Sequence, residues 1–189
     1  SRTAGALQAL QSVIQMRPDE QDAQRLIIEL YLKQQDFDSA SRSAETLEKL
    51  GADNLSGESL RTIGNLHLLR GDYDNARKWL TLANQKIQGV LDEAEKIDIR
   101  YLLGTACFYV KDYECARTHL RQARKSAQEL TYPLLQWSQF LTLMSLSEFD
   151  PEKVKSYLDR ALNTLLEAYR REPHNPAAVY LLANAYLRL

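Results

Sequence analysis

The chain is poor in the residues that most often carry chemistry. Its seven glycines are scattered over 189 residues and form no loop that could cradle a phosphate. Its two cysteines, Cys107 and Cys115, are too few for a disulfide framework and lack the CxxC spacing of a zinc or redox site. They flank a turn between neighbouring helices, so a bridge is geometrically conceivable. The expectation is nevertheless two free, mostly buried thiols, which favours a reducing compartment. The three histidines, His67, His119 and His174, show neither HxxxH nor HxH spacing, so no metal site is expected. His67 reads as a packed aromatic, and His174 falls in a loop before a helix. No GxSxG elbow or cysteine-nucleophile motif is present, so no catalytic residue, enzyme activity, cofactor or small-molecule substrate is expected.

Charge of one sign is missing as well. Lys and Arg number 24 against 25 Asp and Glu, a formal net charge of −1, so no whole-molecule field draws the protein onto nucleic acid or anionic lipid. No stretch approaches the ~18 uninterrupted apolar residues of a membrane span. Residues 1–17 lack the basic leader and apolar run of a signal segment. The expectation is a chain that does not insert into membranes and sits inside the cell, in cytoplasm or nucleus. With 44% hydrophobic residues it can bury a core.

What is present is a repeat. The segments Gln35-Asp36-Phe37-Asp38-Ser39-Ala40, Gly71-Asp72-Tyr73-Asp74-Asn75-Ala76 and Lys111-Asp112-Tyr113-Glu114-Cys115-Ala116 each place Asp, then an aromatic, then Ala three residues further on. The Asp ends one helix and caps the next, the aromatic plugs the hairpin mouth, and the alanine admits a close helix neighbour. Helical apolar patterns flank each turn, as in Leu60, Ile63, Gly64, His67 and Leu68 before, and Ala76, Leu80, Ala83 and Ile87 after. Equivalent alanines at 6, 40, 76, 116 and 161 are 34, 36, 40 and 45 residues apart, so the repeat lengthens along the chain.

These residues resemble the tetratricopeptide repeat. Its pattern is met by Ile27, Ile28, Tyr31, Phe37, Ala40, Ala44 and Leu47, and then by Leu60, Ile63, Gly64, Tyr73, Ala76, Leu80 and Ala83. Leu103, Gly104, Tyr113, Ala116, Leu120 and Ala123 follow, and the last full repeat has Trp137, Phe140, Leu141, Met144, Ala161, Leu165, Ala168 and Pro173. The resemblance implies an all-α fold, a right-handed α-α superhelix (solenoid) of antiparallel hairpins with about ten helices. The expected organisation is a single segment over 1–189. Residues 1–18 form the second helix of a preceding repeat, 20–50, 56–89, 92–130 and 134–173 four hairpins, and 176–189 the first helix of a following one. A piece of a longer array is expected. The helices are placed at 3–16, 20–34, 37–50, 56–70, 73–89, 92–110, 113–130, 134–148, 151–171 and 176–188. Asp19, Ser56 and Asn175 are the expected caps, and Asp92, Glu93, Glu95 and Asp98 the negative first turns of their helix.

The resemblance also implies a non-enzymatic scaffold that binds a peptide or helix of another protein on a concave wall of first helices, within a multi-subunit complex. The expected contact residues are Arg25, Arg61, Asn65, Leu69, Tyr101, Thr105, Phe108, Tyr109, Tyr180 and Asn184. Glu29, Lys33, Leu68, Ser138, Thr142 and Arg188 lie on the same helix faces. Chaperone-binding relatives grip a terminal carboxylate; Arg61 and Asn65 match the first element of that clamp, but Leu102, Leu135 and Gln139 stand where its other polar groups belong. Self-association through exposed ends of the array is left open. The alternative function is a nucleic-acid-associated helical repeat using a basic outer stripe of Arg77, Lys78, Arg117, Arg121, Arg124 and Lys125. Without aromatics interleaved there for base stacking, a solvated face is the preferred reading.

Overall fold

The computed structural model describes residues 2–86, 93–126 and 130–188, and among them ten α-helices and one 3-10 turn. The chain forms two compact units, residues 1–92 and 93–189. The first holds α1 (Arg2–Met16), α2 (Gln21–Lys33), α3 (Phe37–Lys49), the 3-10 turn Ala52–Asn54, α4 (Gly57–Leu69) and α5 (Tyr73–Lys86). The second holds α6 (Glu93–Tyr109), α7 (Tyr113–Ser126), α8 (Tyr132–Leu146), α9 (Pro151–Arg171) and α10 (Pro176–Tyr186). The helices pack as consecutive hairpins, α2 with α3 and α4 with α5 in the first unit, and α6 with α7 and α8 with α9 in the second.

The hairpins follow from the local chemistry of the turns. After α2, α4 and α6 the chain enters the left-handed region at Gln35 (φ 59°), Gly71 (φ 79°) and Lys111 (φ 64°). That conformation lets the next N–H reach back over the helix end. Asp36 donates to the carbonyl of Tyr31, Asp72 to that of His67 and Asp112 to that of Cys107, each at 2.9 Å. The same aspartates then cap the following helices, accepting from the backbone N–H of Ser39 (3.1 Å), Asn75 (3.4 Å) and Cys115 (3.1 Å). One residue therefore satisfies groups of two helices.

Small residues set the packing. Ala40, Ala76, Ala116 and Ala161 are fully buried, as are Ala83, Ala123 and Ala168 two turns after the last three of them. On the first helices Gly64 faces Leu80, and Gly104 faces Leu120. The second helices α3, α7 and α9 bury only a stripe, such as Ala116, Leu120 and Ala123 on α7. The first helices α4, α6 and α8 are buried on more of their circumference, with Leu102, Leu103, Gly104, Thr105, Ala106 and Cys107 enclosed in succession on α6.

Several expectations need correction. Cys107 and Cys115 are joined in a disulfide, with Cα atoms 5.8 Å apart, rather than free. The last turn of α6 and the first turn of α7 face each other across the hairpin mouth, which brings the two side chains together. With both thiols bridged, the cysteines no longer favour a reducing compartment. The N-cap of α2 is Glu20, with no side-chain cap, rather than Asp19; a backbone bond from Glu20 N–H to Arg17 C=O (3.2 Å) carries the turn one residue further. Helix α8 begins at Tyr132 and takes Pro133 into its first turn, where the missing N–H costs no hydrogen bond. Ser56 and Asn175 do cap their helices, Asn175 accepting from both Ala177 and Ala178. Asp92 lies outside the described residues. Asp98 accepts from the Tyr132 hydroxyl at 2.5 Å and so ties α6 to α8.

His67 is a polar bridge as well as a packed ring. Its Nε2 lies 3.0 Å from Glu48 Oε1 on α3, and its Nδ1 3.0 Å from Asp72 Oδ2 in the following turn. Lys86, at the end of α5, donates to the carbonyls of Ala52 (3.1 Å), Asp53 (2.9 Å) and Leu55 (2.6 Å), holding the 3-10 turn against its hairpin. Among the described residues no helix is long and apolar enough to cross a membrane, and no group of three His, Cys, Asp or Glu side chains gathers as a metal would need.

Candidate functional site: a groove in the second unit

The side chains named from the sequence fall in both units, and the two sets differ in kind. In the first unit Arg25 and Arg61 are already neutralised. Glu29 Oε1 accepts from Arg25 (3.3 Å), Arg61 (3.1 Å) and the Thr62 hydroxyl (3.2 Å), and Arg25 also meets Asp22 (3.5 Å) and Glu58 (3.6 Å). Asn65 is half-buried, and Leu69 is exposed at the end of α4. A ligand carboxylate reaching Arg61 would have to displace Glu29. That carboxylate comes from α2 and is not seen by a motif confined to α4.

The second unit contains an apolar groove of about 330 Å³ between α6, α8 and α10. Phe108 and Tyr109 enter it from the last turn of α6, Phe140 and Leu143 from α8, and Leu181 and Asn184 from α10. Leu120 and Leu165, from second helices, form part of its lining. The aromatic wall is self-supporting. Phe108 meets Phe140 edge-on at 6.1 Å and Tyr109 at 5.6 Å, while Phe140 stacks on Trp137 at 5.3 Å. Tyr109 and Leu143 remain 50% and 41% exposed, so an apolar surface stays open at the rim.

Of the other residues expected in this unit, Tyr101 packs its ring edge-on against Tyr132 at 5.0 Å. Burial, and then the nearby Asp98 carboxylate, push its phenol above the ordinary value. Thr105 is buried, with its hydroxyl donating to the Tyr101 carbonyl at 2.9 Å. Tyr180 is 68% exposed on α10. Ser138 and Thr142 line the groove, but their hydroxyls donate within α8 to Leu135 (2.7 Å) and Ser138 (3.0 Å).

Leu143, Phe140, Leu181 and Gln136 were not singled out as contact residues. Phe140 and Leu143 carry an ordinary apolar helix pattern, and only the approach of α6 and α10 turns it into a groove wall.

The basic residues also divide. On α7, Arg117 pairs with Glu114 (3.2 Å) and Arg124 with Glu167 (3.4 Å), while Arg121 and Lys125 are exposed. On α5, Lys78 lies over the Trp79 ring at 5.5 Å, and Arg77 is half-buried. Half of the α7 cations are therefore compensated by their own helix or by α9.

Antiparallel helix pairs repeated along the chain, three of them joined by the same capped turn, define a helical-repeat protein. Residues 1–62 and 158–189 match models of the tetratricopeptide repeat, and the chain belongs to that family. Such repeats generally mediate protein–protein interactions and are typically non-catalytic. No curated protein matches the chain significantly in sequence. Among solved structures, YrrB, a tetratricopeptide-repeat protein with an unusual peptide-binding site, is 17% identical with a TM-score of 0.65, over 95% of this chain and 83% of its own. MamA is 15% identical with a TM-score of 0.66, over 89% and 91%. Pseudomonas aeruginosa pilF is 15% identical with a TM-score of 0.65, over 100% and 83%. At these identities the likeness is one of fold.

Proposed function

We propose that this chain is a non-enzymatic interaction module that holds a segment of another protein, and that the groove between α6, α8 and α10 is where it does so. The observation that carries the proposal is the pairing of an ordered aromatic wall, Phe108 and Phe140 with the buried Trp137 stacked behind Phe140, with an exposed apolar rim at Tyr109 and Leu143. Apolar side chains left open beside packed ones release water when covered, which is the main source of affinity at such surfaces. The first-unit face at Arg25 and Arg61 is a weaker candidate, because Glu29 already takes both guanidiniums.

A photo-reactive residue placed at Leu143 in the intact protein tests this directly, with the same residue at Leu26, exposed to a similar degree on α2, as control. Cross-links to one partner segment are expected from position 143 and not from position 26. Adding Tyr109→Ala should abolish them. Cross-linking that is equal at both positions, or indifferent to Tyr109→Ala, removes the groove as the binding site.

A further inference from the structure

The groove is not alone on its unit. A second, shallower cavity lies next to it, lined by Phe149, Pro151, Val154, Lys155, Leu158 and Arg188, and Arg188 borders both. Phe149, in the turn between α8 and α9, is 97% exposed. Two features of this joined surface bear on what fits it.

The first is charge. Among the described residues lining the two cavities, the charged ones are Arg188 and Lys155, and no carboxylate is present. Neither cation forms an ion pair with a described residue. The carboxylates of the adjacent turn are turned elsewhere: Glu148 accepts from the backbone of Phe149 and Asp150, and Asp150 caps α9 and faces Lys153. This contrasts with the first-unit face, where Glu29 compensates its arginines. The second feature is a set of idle amides. Gln136, Gln139 and Asn184 line the groove, and no hydrogen bond among the described residues uses their side chains. Each offers both a donor and an acceptor, the complement of a peptide group. A helical ligand satisfies its own backbone and can pair these amides only through its side chains, whereas an extended chain also brings free backbone N–H and C=O groups.

Resting on the proposal that the groove binds protein, we infer that its occupant is an extended, acidic–apolar segment. Its apolar side chains enter between Tyr109, Phe140 and Leu143 and reach toward Phe149. Its backbone pairs with Gln139 and Asn184. An internal Asp or Glu meets Arg188, with Lys155 beside it. The ligand is selected by the carboxylate beside its apolar residues, so a terminal carboxylate is not required.

The test is selection of displayed random peptides on the intact protein at about physiological ionic strength, using the wild type, a doubly charge-reversed Arg188→Glu, Lys155→Glu protein, and Leu143→Glu. All three positions are exposed, and circular dichroism verifies that each variant folds. The wild type should enrich peptides that combine large apolar residues with Asp or Glu. Arg188→Gln should weaken them about two- to fivefold, the range of an exposed ion pair, and the charge-reversed protein should enrich Lys and Arg instead. Gln139→Leu, Asn184→Leu should weaken binding further, and bound peptides should show extended rather than helical backbone shifts by NMR. Peptides that need Leu143 but ignore the charges at 188 and 155 would overturn the acidic ligand while leaving a protein-binding groove. Helical bound peptides would overturn the extended one. Displacement by single-stranded RNA would make the cations a phosphate site. Enrichment no different on Leu143→Glu would overturn the groove itself.

Discussion

Replacing Gly104 with alanine tests the packing on which the hairpins depend. An added Cβ would lie 2.7 Å from Leu120 Cγ, 2.9 Å from its Cδ2 and 3.0 Å from its backbone nitrogen. Leu120 is buried and Cys107 is bonded across the same hairpin, so α7 has little room to retreat. Alanine in a helix interior gains about 0.8–1.0 kcal/mol over glycine, while overpacking a core costs about 1–3 kcal/mol. The net expectation is a loss of about 1 kcal/mol. Gly64 has the same relation to the fully buried Leu80, where an added Cβ would lie 2.5 Å from Cγ, 2.9 Å from Cδ2 and 3.3 Å from the backbone nitrogen. Gly64→Ala should therefore also destabilise, by about as much as Gly104→Ala. Urea unfolding of each single variant gives the two values, and a cycle with Leu120→Ala isolates the contact. In the Leu120→Ala background the cost should turn into a gain, because only the propensity term is left. A stabilised Gly104→Ala in the wild-type background, or an unchanged cost in the Leu120→Ala background, would refute close approach at this glycine.

Three further expectations concern the turns and the second unit. Gln35→Gly and Lys111→Gly should each raise the unfolding temperature, since the left-handed conformation costs a side-chain-bearing residue about 1–2 kcal/mol, of which glycine's extra chain entropy returns about 0.5–1 kcal/mol. A fall in either variant would mean that the side chain contributes more than its backbone conformation costs. Chain purified without reductant and then denatured should contain no titratable thiol, and reduction should destabilise it by about 2.5 kcal/mol from the loop entropy of a bridge separated by 8 residues; two reactive thiols would contradict the bridge. Burial, and then the charge of Arg100, hold the His119 imidazole below its ordinary value. Between that lowered value and about 6.5 the unfolded chain binds a proton that the folded chain refuses, so stability falls as pH drops through this window. The slope should flatten in His119→Gln, and an identical slope in wild type and variant would exclude the contribution.

The turns were legible because their chemistry is local. Asp36, Asp72 and Asp112 sit within a few residues of every group they satisfy, so a short motif predicts the helix stop, the cap and the following helix together. The alanine and glycine positions were legible for a related reason: recurrence at equivalent places marks close approach even before the neighbour is known. Boundaries drifted where two local solutions compete, as at Asp19 and Glu20 or at Tyr132-Pro133.

The candidate site was only partly legible. Phe108, Tyr109 and Asn184 were placed on the groove side by their repeat positions, and the structure brings them together. Arg61 occupied an equally good position, yet Glu29, 32 residues earlier, neutralises it. No local pattern distinguishes Arg61 from Arg188, because a side chain's availability depends on which carboxylates neighbouring helices present. The pairing of Cys107 with Cys115 was missed on similar grounds: spacing shows that a bridge is conceivable, but only the packing of α6 against α7, which brings the two Cα atoms to 5.8 Å, decides it. By itself, then, the sequence determined the helices, their antiparallel pairing and the family, since capping, left-handed turns and small-residue packing act over a turn or two of chain. Tertiary structure alone decided which charges are compensated, which amides stay idle and where apolar surface remains open. These follow from distances between helices remote in sequence, and the interaction energies change steeply over a few ångströms.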